Sequence, residues 1–500
     1  MSSLAPYRKL IARLSLDAHD APAAYRRRAL WVAASLPGYV AGLYLTCVVL
    51  LLVGFATASD GLTGKLLVLA GLFMAILVSA ALWVELPLPG GYPLDETEEG
   101  DGKLRRTLDK LAAKLQAPRI DEIVIDEQCA VSILAYPRWG LFGPSRHVLV
   151  IGLPWLQGLS PKQATAGIAL EYARFGRRQG AVAAWFMRSR VFWPRYVAAL
   201  PDEPGFFSRL VTGYFRRRWL YVQAYTLGLA RELTLKTDAD VAAIAGPDRT
   251  GQVMLRTAVL ARWMDEFFWP ELMRHADEDA TPQKLPHRHM AAAFRQADRS
   301  IALRRTLKDE QTRKLPPEAP SPPLSERLAA VGQEASFVGM PEHTAAEQML
   351  GAQLKPVIQA LDEAWLEQIG PVWRKRHEDV QSARLWLANF GEPDLNDASV
   401  ETLGRYAGAL LTTGDRVRAL PLLRRAAEHP QGTAETAWML AQTLLEHDDV
   451  EALQYLELVM TRDVMRAAEA ASMALEMSER HGKRERASAY RRLLGEAAVA

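Results

Sequence analysis

Five hundred residues contain only two cysteines, Cys47 and Cys129. That scarcity excludes a disulfide-stapled scaffold and suits a reduced, cytosol-facing chain. Net charge is nearly absent as well, at +2, so the bulk electrostatic footprint of a nucleic-acid binder is missing and no nucleic-acid partner is expected. Charge is also missing locally. No charged side chain lies between Arg28 and Asp60, and none lies between Lys65 and Glu85. About 20 apolar helical residues cross a bilayer core, so both runs are long enough to span, over about 38–58 and 66–84. The link between them, SDGLTGK, is too short for a domain, which makes 29–85 a transmembrane hairpin and the lipid bilayer a partner.

Orientation follows from the cations beside the spans. Arg8, Lys9, Arg13 and Arg26 to Arg28 precede the first span, whereas the loop holds only Lys65. The basic segment 1–28 is therefore expected in the cytoplasm, and two spans return the main body to that side. The first apolar stretch starts too late and runs too long for a cleaved signal peptide.

Past an acidic linker, DETEEGDG, the segment KLRRTLDKLAAKLQAP repeats apolar residues at helical spacing and stops at a proline. DEIVIDE and HVLVIGL read as strands, and the turn-rich YPRWGLFGPSR between them suggests a meander. A helix start follows: Ser160 as N-cap, Pro161 in the first turn and Gln163 completing a capping box. The helix it opens contains ATAGIALEYARFGRR, residues 164–178, with Glu171 at its centre. Residues 181–270 are helical and aromatic, as in WFMRSRVFWPRY and MDEFFWPEL, which suits core or membrane-surface packing.

After the proline-rich break KLPPEAPSPPL the chain becomes polar, helical and rich in Ala and Leu. A weak repeat runs through TTGDRVRALPLL, EHDDVEALQYL and RHGKRERASAYRRLL. Ala419, Ala452 and Ala487 recur at close to 34 residues, and Gly414 and Gly482 are two such periods apart. About 34 residues is the period of tetratricopeptide-like helix pairs. Residues 345–500 are read as such a region, with an ordinary helical bundle as the plainer reading.

Taken in order, the membrane hairpin, APRIDEIVID, AVSILAYPRWGLFG, IGLPWLQGLSPKQ, the Glu171 helix, DEFFWPEL and PPLSERLAAVG resemble the integral-membrane zinc endopeptidases of the HtpX and CAAX prenyl protease type. In particular the chain looks like the bacterial members that carry a helical, repeat-like extension. The resemblance implies a mainly α protein: a two-helix anchor, an α+β zincin-like (gluzincin) domain with a small sheet over 100–335, and the helical C-terminal region. In that family the helix carries His-Glu-x-x-His. Here Leu170 and Arg174 stand in the ligand positions on either side of the vestigial general base Glu171. A later helix supplies the family's third ligand, a glutamate four residues before an aspartate. RELTLKTDADVAAIAG places Thr234 there if Asp238 is that aspartate, or Lys236 if it is Asp240. The family's substrate-strand Asn-Ala reads Cys129-Ala130, and the histidine before P-x-L-x-x-R-L reads Ser321.

Catalytic zinc needs three protein donors and an open position for water. Leucine has no donor atom and a guanidinium has no lone pair to give. Without a metal, Glu171 has no acidified water to act on, so no catalytic residue is expected to be active and no cofactor is expected. His287 and His289 are two apart, off a common helical face, and are expected as solvated surface groups. In the vacated site, Arg174 is expected either to bridge Glu171 and Asp238 as an ion-pair cluster or simply to reach solvent.

The expected function is a membrane-anchored pseudo-peptidase that binds an unidentified protein client or partner. Its former substrate groove, at Cys129, Ala130 and an edge strand around HVLVIG, and its helical repeats would supply the surfaces. The alternative is an active zinc metalloendopeptidase with non-standard ligands, cleaving membrane or unfolded proteins, with zinc as cofactor. By the resemblance, the location is a bacterial inner membrane.

Overall fold

A computed structural model describes residues 4–57, 61–94, 103–139, 142–202, 205–313, 315–334, 339–391 and 398–497. The acidic linker 95–102 and the loop residues 58–60 lie outside the described residues. The chain is mainly helical with one four-stranded mixed sheet. It divides into two compact units: 1–270 with 284–365, and 271–283 with 366–500. Residues 345–365, read from sequence with the C-terminal helices, belong to the first unit, where Ala345, Ala346, Leu350 and Val357 are core residues.

In the first unit, α1 (Arg8–Asp20) leads into α2 (Pro22–Thr57) and α3 (Leu62–Leu82). The last two are long and apolar enough to cross a membrane. Small residues let them approach closely. A Cβ on Gly54 would stand 2.7 Å from the Val68 nitrogen, and one on Gly71 would stand 3.0 Å from the Leu51 side chain. Their outward faces are apolar and open, with Leu45, Leu52, Phe55, Leu69, Phe73 and Ile76 exposed.

Beyond β1 (Tyr92–Pro93), α4 (Lys103–Leu115) buries the stripe Leu104, Leu108, Leu111 and Leu115. Then come β2 (Glu122–Asp126), β3 (Val131–Trp139) and β4 (Phe142–Gly152). The strand order is β1-β2-β4-β3, with β2 and β4 parallel and β3 and β4 antiparallel. The sequence expectation of a meander is corrected here. YPRW continues strand β3, and HVLVIG is not an edge but the sheet's interior, paired on both sides. Its uninterrupted apolar run, Val148 to Ile151, is buried on both faces, as an interior strand requires. The outer edge belongs to β3.

Helices α5 (Leu153–Gly158), α6 (Pro161–Phe175), α7 (Ala181–Ala198), α8 (Phe206–Tyr225), α9 (Leu227–Ala245) and α10 (Pro247–Trp263) follow. The capping box of α6 forms as read from sequence: Ser160 N–H donates to Gln163 Oε1 at 2.9 Å, and Gln163 N–H donates to Ser160 Oγ at 3.4 Å. Buried on almost every side, α6 packs against α4, α9, α10 and β3. The aromatic region packs against the apolar hairpin. Trp193, Tyr196 and Phe215 of α7 and α8 cluster with Leu36, Val40 and Leu82, and Tyr39 stacks on Tyr214 with ring centres 4.2 Å apart. The amino-terminal α1 lies on α8 and α9, so the segment before the first span and the body after the second belong to one packed mass.

The remaining elements of this unit are α11 (Trp269–Arg274), which the unit boundary cuts, α12 (Pro286–Ala297), α13 (Ile301–Thr312), α14 (Leu324–Ala330), α15 (Ala345–Leu350) and the start of α16 (Leu354–Phe390). In the second unit, Arg376 of α16 holds Asp277 through two bonds of 2.7 and 3.1 Å, pinning the segment 271–283. Six helices complete this unit: α17 (Val400–Thr412), α18 (Arg416–Glu428), α19 (Ala434–Leu445), α20 (Ala452–Arg462), α21 (Ala467–Arg480) and α22 (Arg484–Ala497). Each packs on the next in sequence. Ala419, Ala452 and Ala487 are all buried on the second helix of a pair. Left-handed residues stand at Gly414 (φ 88), Asp448 (φ 55) and Gly482 (φ 67), equally spaced along the chain. The middle turn thus keeps the conformation after losing the glycine that favours it.

Candidate functional site

Glu171 sits on α6 three residues before Arg174, and the two form an ion pair, Glu171 Oε1 to Arg174 Nη1, at 2.7 Å. The glutamate is mostly covered and the arginine somewhat more open. Leu170, which the resemblance would put at the first ligand position, is a core residue 7% exposed. Thr234, on the facing helix α9, is buried and spends its hydroxyl on its own helix, donating to the Ala230 carbonyl at 2.8 Å. Lys236 faces the other way, exposed and paired with Glu232 at 2.6 Å. The buried polar residues of α9 are therefore Thr234, Thr237 and Asp238.

Asp238 is 1% exposed, yet its partner is not the expected one. Arg327 of α14 grips it with two parallel bonds, Nε to Oδ2 at 2.7 Å and Nη2 to Oδ1 at 2.8 Å. The expected bridge by Arg174 across both carboxylates is corrected: Arg174 serves Glu171, and Arg327 serves Asp238. Geometry explains the change. A guanidinium fork satisfies one carboxylate fully, and Asp238 already has one facing it. Burial opposes charge on Arg327, but the bonds and charge of Asp238, with the charge of Glu171 behind them, raise its pKa above the usual arginine value. The site is thus two carboxylates and two guanidiniums, whose charges cancel. Sequence reasoning does not single out Arg327, although it lies in the quoted PPLSERLAAVG; nothing local ties it to Asp238, 89 positions away.

The groove residues differ from each other. Cys129 is buried in the core, and burial, with the negative charge of Asp265, pushes its thiol up to about 12. It stays protonated and is no nucleophile. Ala130 is exposed, and its carbonyl accepts from Gly152 N–H at 2.8 Å. By antiparallel alternation, Val131, Ile133 and Ala135 turn their backbone groups to the outer edge of β3. Arg195 covers the last of these, donating to the Ala135 carbonyl at 3.4 Å.

The histidine expectation is also corrected for one residue. His289 is exposed, but His287 is fully buried at the start of α12. Its Nδ1 lies 3.0 Å from Asp362 Oδ1, and its backbone N–H donates to the same oxygen at 2.9 Å. Gln157 Nε2 donates to the His287 carbonyl at 3.0 Å. Proline at the first turn and the apolar neighbours Met290 and Phe294 draw this face of α12 into the core. Among the described residues no group of three His, Cys, Asp or Glu side chains is placed to hold a metal. Comparisons of the chain with protein-family models, curated proteins and solved structures found no match.

Proposed function

We propose that the chain is a membrane-anchored pseudo-peptidase that binds polypeptide through the outer edge of β3 and through its C-terminal helices. On this reading its body is built like the zinc endopeptidases of the HtpX and CAAX prenyl protease type, with the ligands replaced. The observation that carries it is the occupation of the Glu171 corner: Leu170 offers no donor to a metal and Thr234 a poor one, while Arg174 and Arg327 neutralise the two carboxylates that remain. Zinc catalysis needs three donors around an open coordination position. This corner has the opposite chemistry, cations where a cation would bind.

Three further features support the reading. Strand β3 packs on α6 and turns unpaired backbone groups outward, the arrangement that accepts an added strand. The buried alanines and evenly spaced left-handed turns of α17 to α22 fit tetratricopeptide-like pairs, which present a concave binding face. Two apolar helices with Arg26 to Arg28 at the start of the first fit a hairpin in a bacterial inner membrane, its amino terminus and body in the cytoplasm.

The test uses the full chain in detergent and a fluorescent unfolded polypeptide. Val131→Pro removes an outward N–H without breaking a ladder bond to β4. Binding without cleavage, lost in Val131→Pro, is the expected result. Chelator-sensitive cleavage would establish the zinc endopeptidase alternative, and binding indifferent to Val131→Pro would rule out the β3 edge.

A further inference from the structure

A cavity of about 480 Å³ lies between α2, the β3–β4 hairpin and α7. This is within the size range of small-molecule sites, and it is well apart from the Glu171 corner in chemistry. Its walls are graded. Pro37, Val40 and Ala41 contribute the side formed by α2, where the uncharged run enters its spanning stretch. On α7, Trp185 comes first, Arg188 and Ser189 follow, and Phe192 and Trp193 come one turn later.

The two helices run in the same direction at this point. Ala183 and Phe186 of α7 cluster with Ala29 and Ala33 of α2, whereas Trp193 and Tyr196 cluster with Leu36 and Val40. The cationic end of the cavity therefore lies toward the basic start of α2, and the aromatic end lies toward the span. A second hollow shares Trp185 with it and is edged by Arg26, Arg27 and Trp31, the Trp and Arg composition of a membrane–water boundary. Polarity along the cavity thus changes in the same sense as polarity across a leaflet.

The cationic end has no protein anion to serve. Among the described residues Arg188 makes no hydrogen bond or ion pair, although it is only partly exposed. Burial, and then the charge of Arg177, lower its pKa. Across the cavity stands His147, whose pKa is lowered by burial; Asp121 opposes that shift and Arg188 adds to it. Asp121 lies 3.8 Å from His147 Nδ1 and is the one acid facing the imidazole. A guanidinium drawn partly out of water without a counter-charge is costly, and a bound anion removes that cost.

We propose that this cavity binds an anionic acyl amphiphile from the adjoining leaflet, its carboxylate or phosphate at Arg188 and its hydrocarbon chain against Val40, Ala41, Phe192 and Trp193. The proposal rests on the reading that α2 and α3 cross a bilayer. Free fatty acid and anionic phospholipid share the recognising chemistry, and competition separates them.

The experiment places the full chain in phosphatidylcholine nanodiscs with a trace of diazirine-bearing palmitate, followed by photolysis and peptide mapping. Saturable labelling of the peptides carrying Val40–Ala41 and Phe192–Trp193 is expected. Arg188→Ala should lower it about tenfold, equivalent to one charge-assisted contact, and Arg188→Lys should restore part of it. Ala41→Trp, which fills the apolar end, is the second variant and should block labelling with the head contact intact. Competition by oleate alone identifies the free acid as ligand, and competition by phosphatidylglycerol identifies the headgroup. Label confined to the open faces at Leu52, Phe55 and Leu69 would overturn the cavity proposal and leave the membrane reading standing. Absence of label from both α2 and α3 would overturn the membrane reading, and the proposal with it.

Discussion

Asp238 and Asp362 are buried and Asp126 is half-buried, and the first unit treats each of these carboxylates differently. Asp238 has a guanidinium N–H on each oxygen. Asp362 has two donors, both from His287 and both on one oxygen; its Oδ2, His287 Nε2 and Gln157 Oε1 are buried without a partner among the described residues. Asp126 has a single backbone donor, Gln128 N–H at 3.1 Å, and no cation. Burial holds its pKa up at about 6, with the Gln128 bond opposing and neighbouring Glu127 adding to the rise. The difference shows where the fold has committed a charge. At Asp238 both ion and counter-ion are fixed, so the site is a structural joint between α9 and α14.

Removing one side of that joint should have the largest effect. Arg327→Ala leaves Asp238 buried and unpaired and should cost about 3–5 kcal/mol, read as a fall in Tm or denaturant midpoint in detergent. A double change, Arg327→Leu with Asp238→Leu, should recover much of the loss. If Arg327→Ala unfolds like the parent chain, the joint contributes nothing and the comparison fails at its first term.

The Asp362 site should respond less. Asp362→Ala withdraws the acceptor shared by the His287 ring and backbone N–H and should cost about 1–3 kcal/mol by the same measurement. A loss as large as that of Arg327→Ala would mean that the two sites are alike.

Asp126 should respond to pH rather than to a partner. Its folded pKa, about 6, lies above the ordinary aspartate value of 3.8, so folding favours the protonated form. The stability this gives is complete below the unfolded pKa and is lost as pH rises through the folded one. Asp126→Asn should therefore raise Tm relative to the parent chain near pH 7.5 and bring no gain near pH 4. An equal effect at both values would show that the carboxylate is solvated in the native state.

The smallest effect should come from Arg174→Ala. The Glu171–Arg174 pair is an i,i+3 contact with its arginine 27% exposed, and such pairs contribute about 1 kcal/mol or less. A larger loss would mean that Arg174 does for Glu171 what Arg327 does for Asp238.

What was legible in the sequence was local. The α6 cap and the α4 stripe are set by residues within one or two turns of each other, and the structure places them as read; the two apolar runs are helices long enough to cross a membrane, the first starting earlier, at Pro22. The spacing of Gly414 and Gly482 showed two of the three repeated turns. The third is hidden because Asp448 holds the left-handed position, with Arg480 at 2.9 Å and His481 at 3.1 Å on its carboxylate. What was not legible depends on distant pairing. HVLVIG reads as a strand, but its place between β2 and β3 is decided by a parallel partner reached through a crossover. Likewise Asp238 reads as one member of an ion-pair cluster, and only the fold brings Arg327 to it in place of Arg174.

The central proposal, that arginines hold Glu171 and Asp238 at the corner the resemblance would give to zinc, is tested most directly by zinc per chain. The protein should be untagged, purified in detergent without added metal, and compared with Glu171→Gln. Well below one zinc per chain, unchanged by the substitution, is the expected result. One tightly held zinc per chain would contradict it.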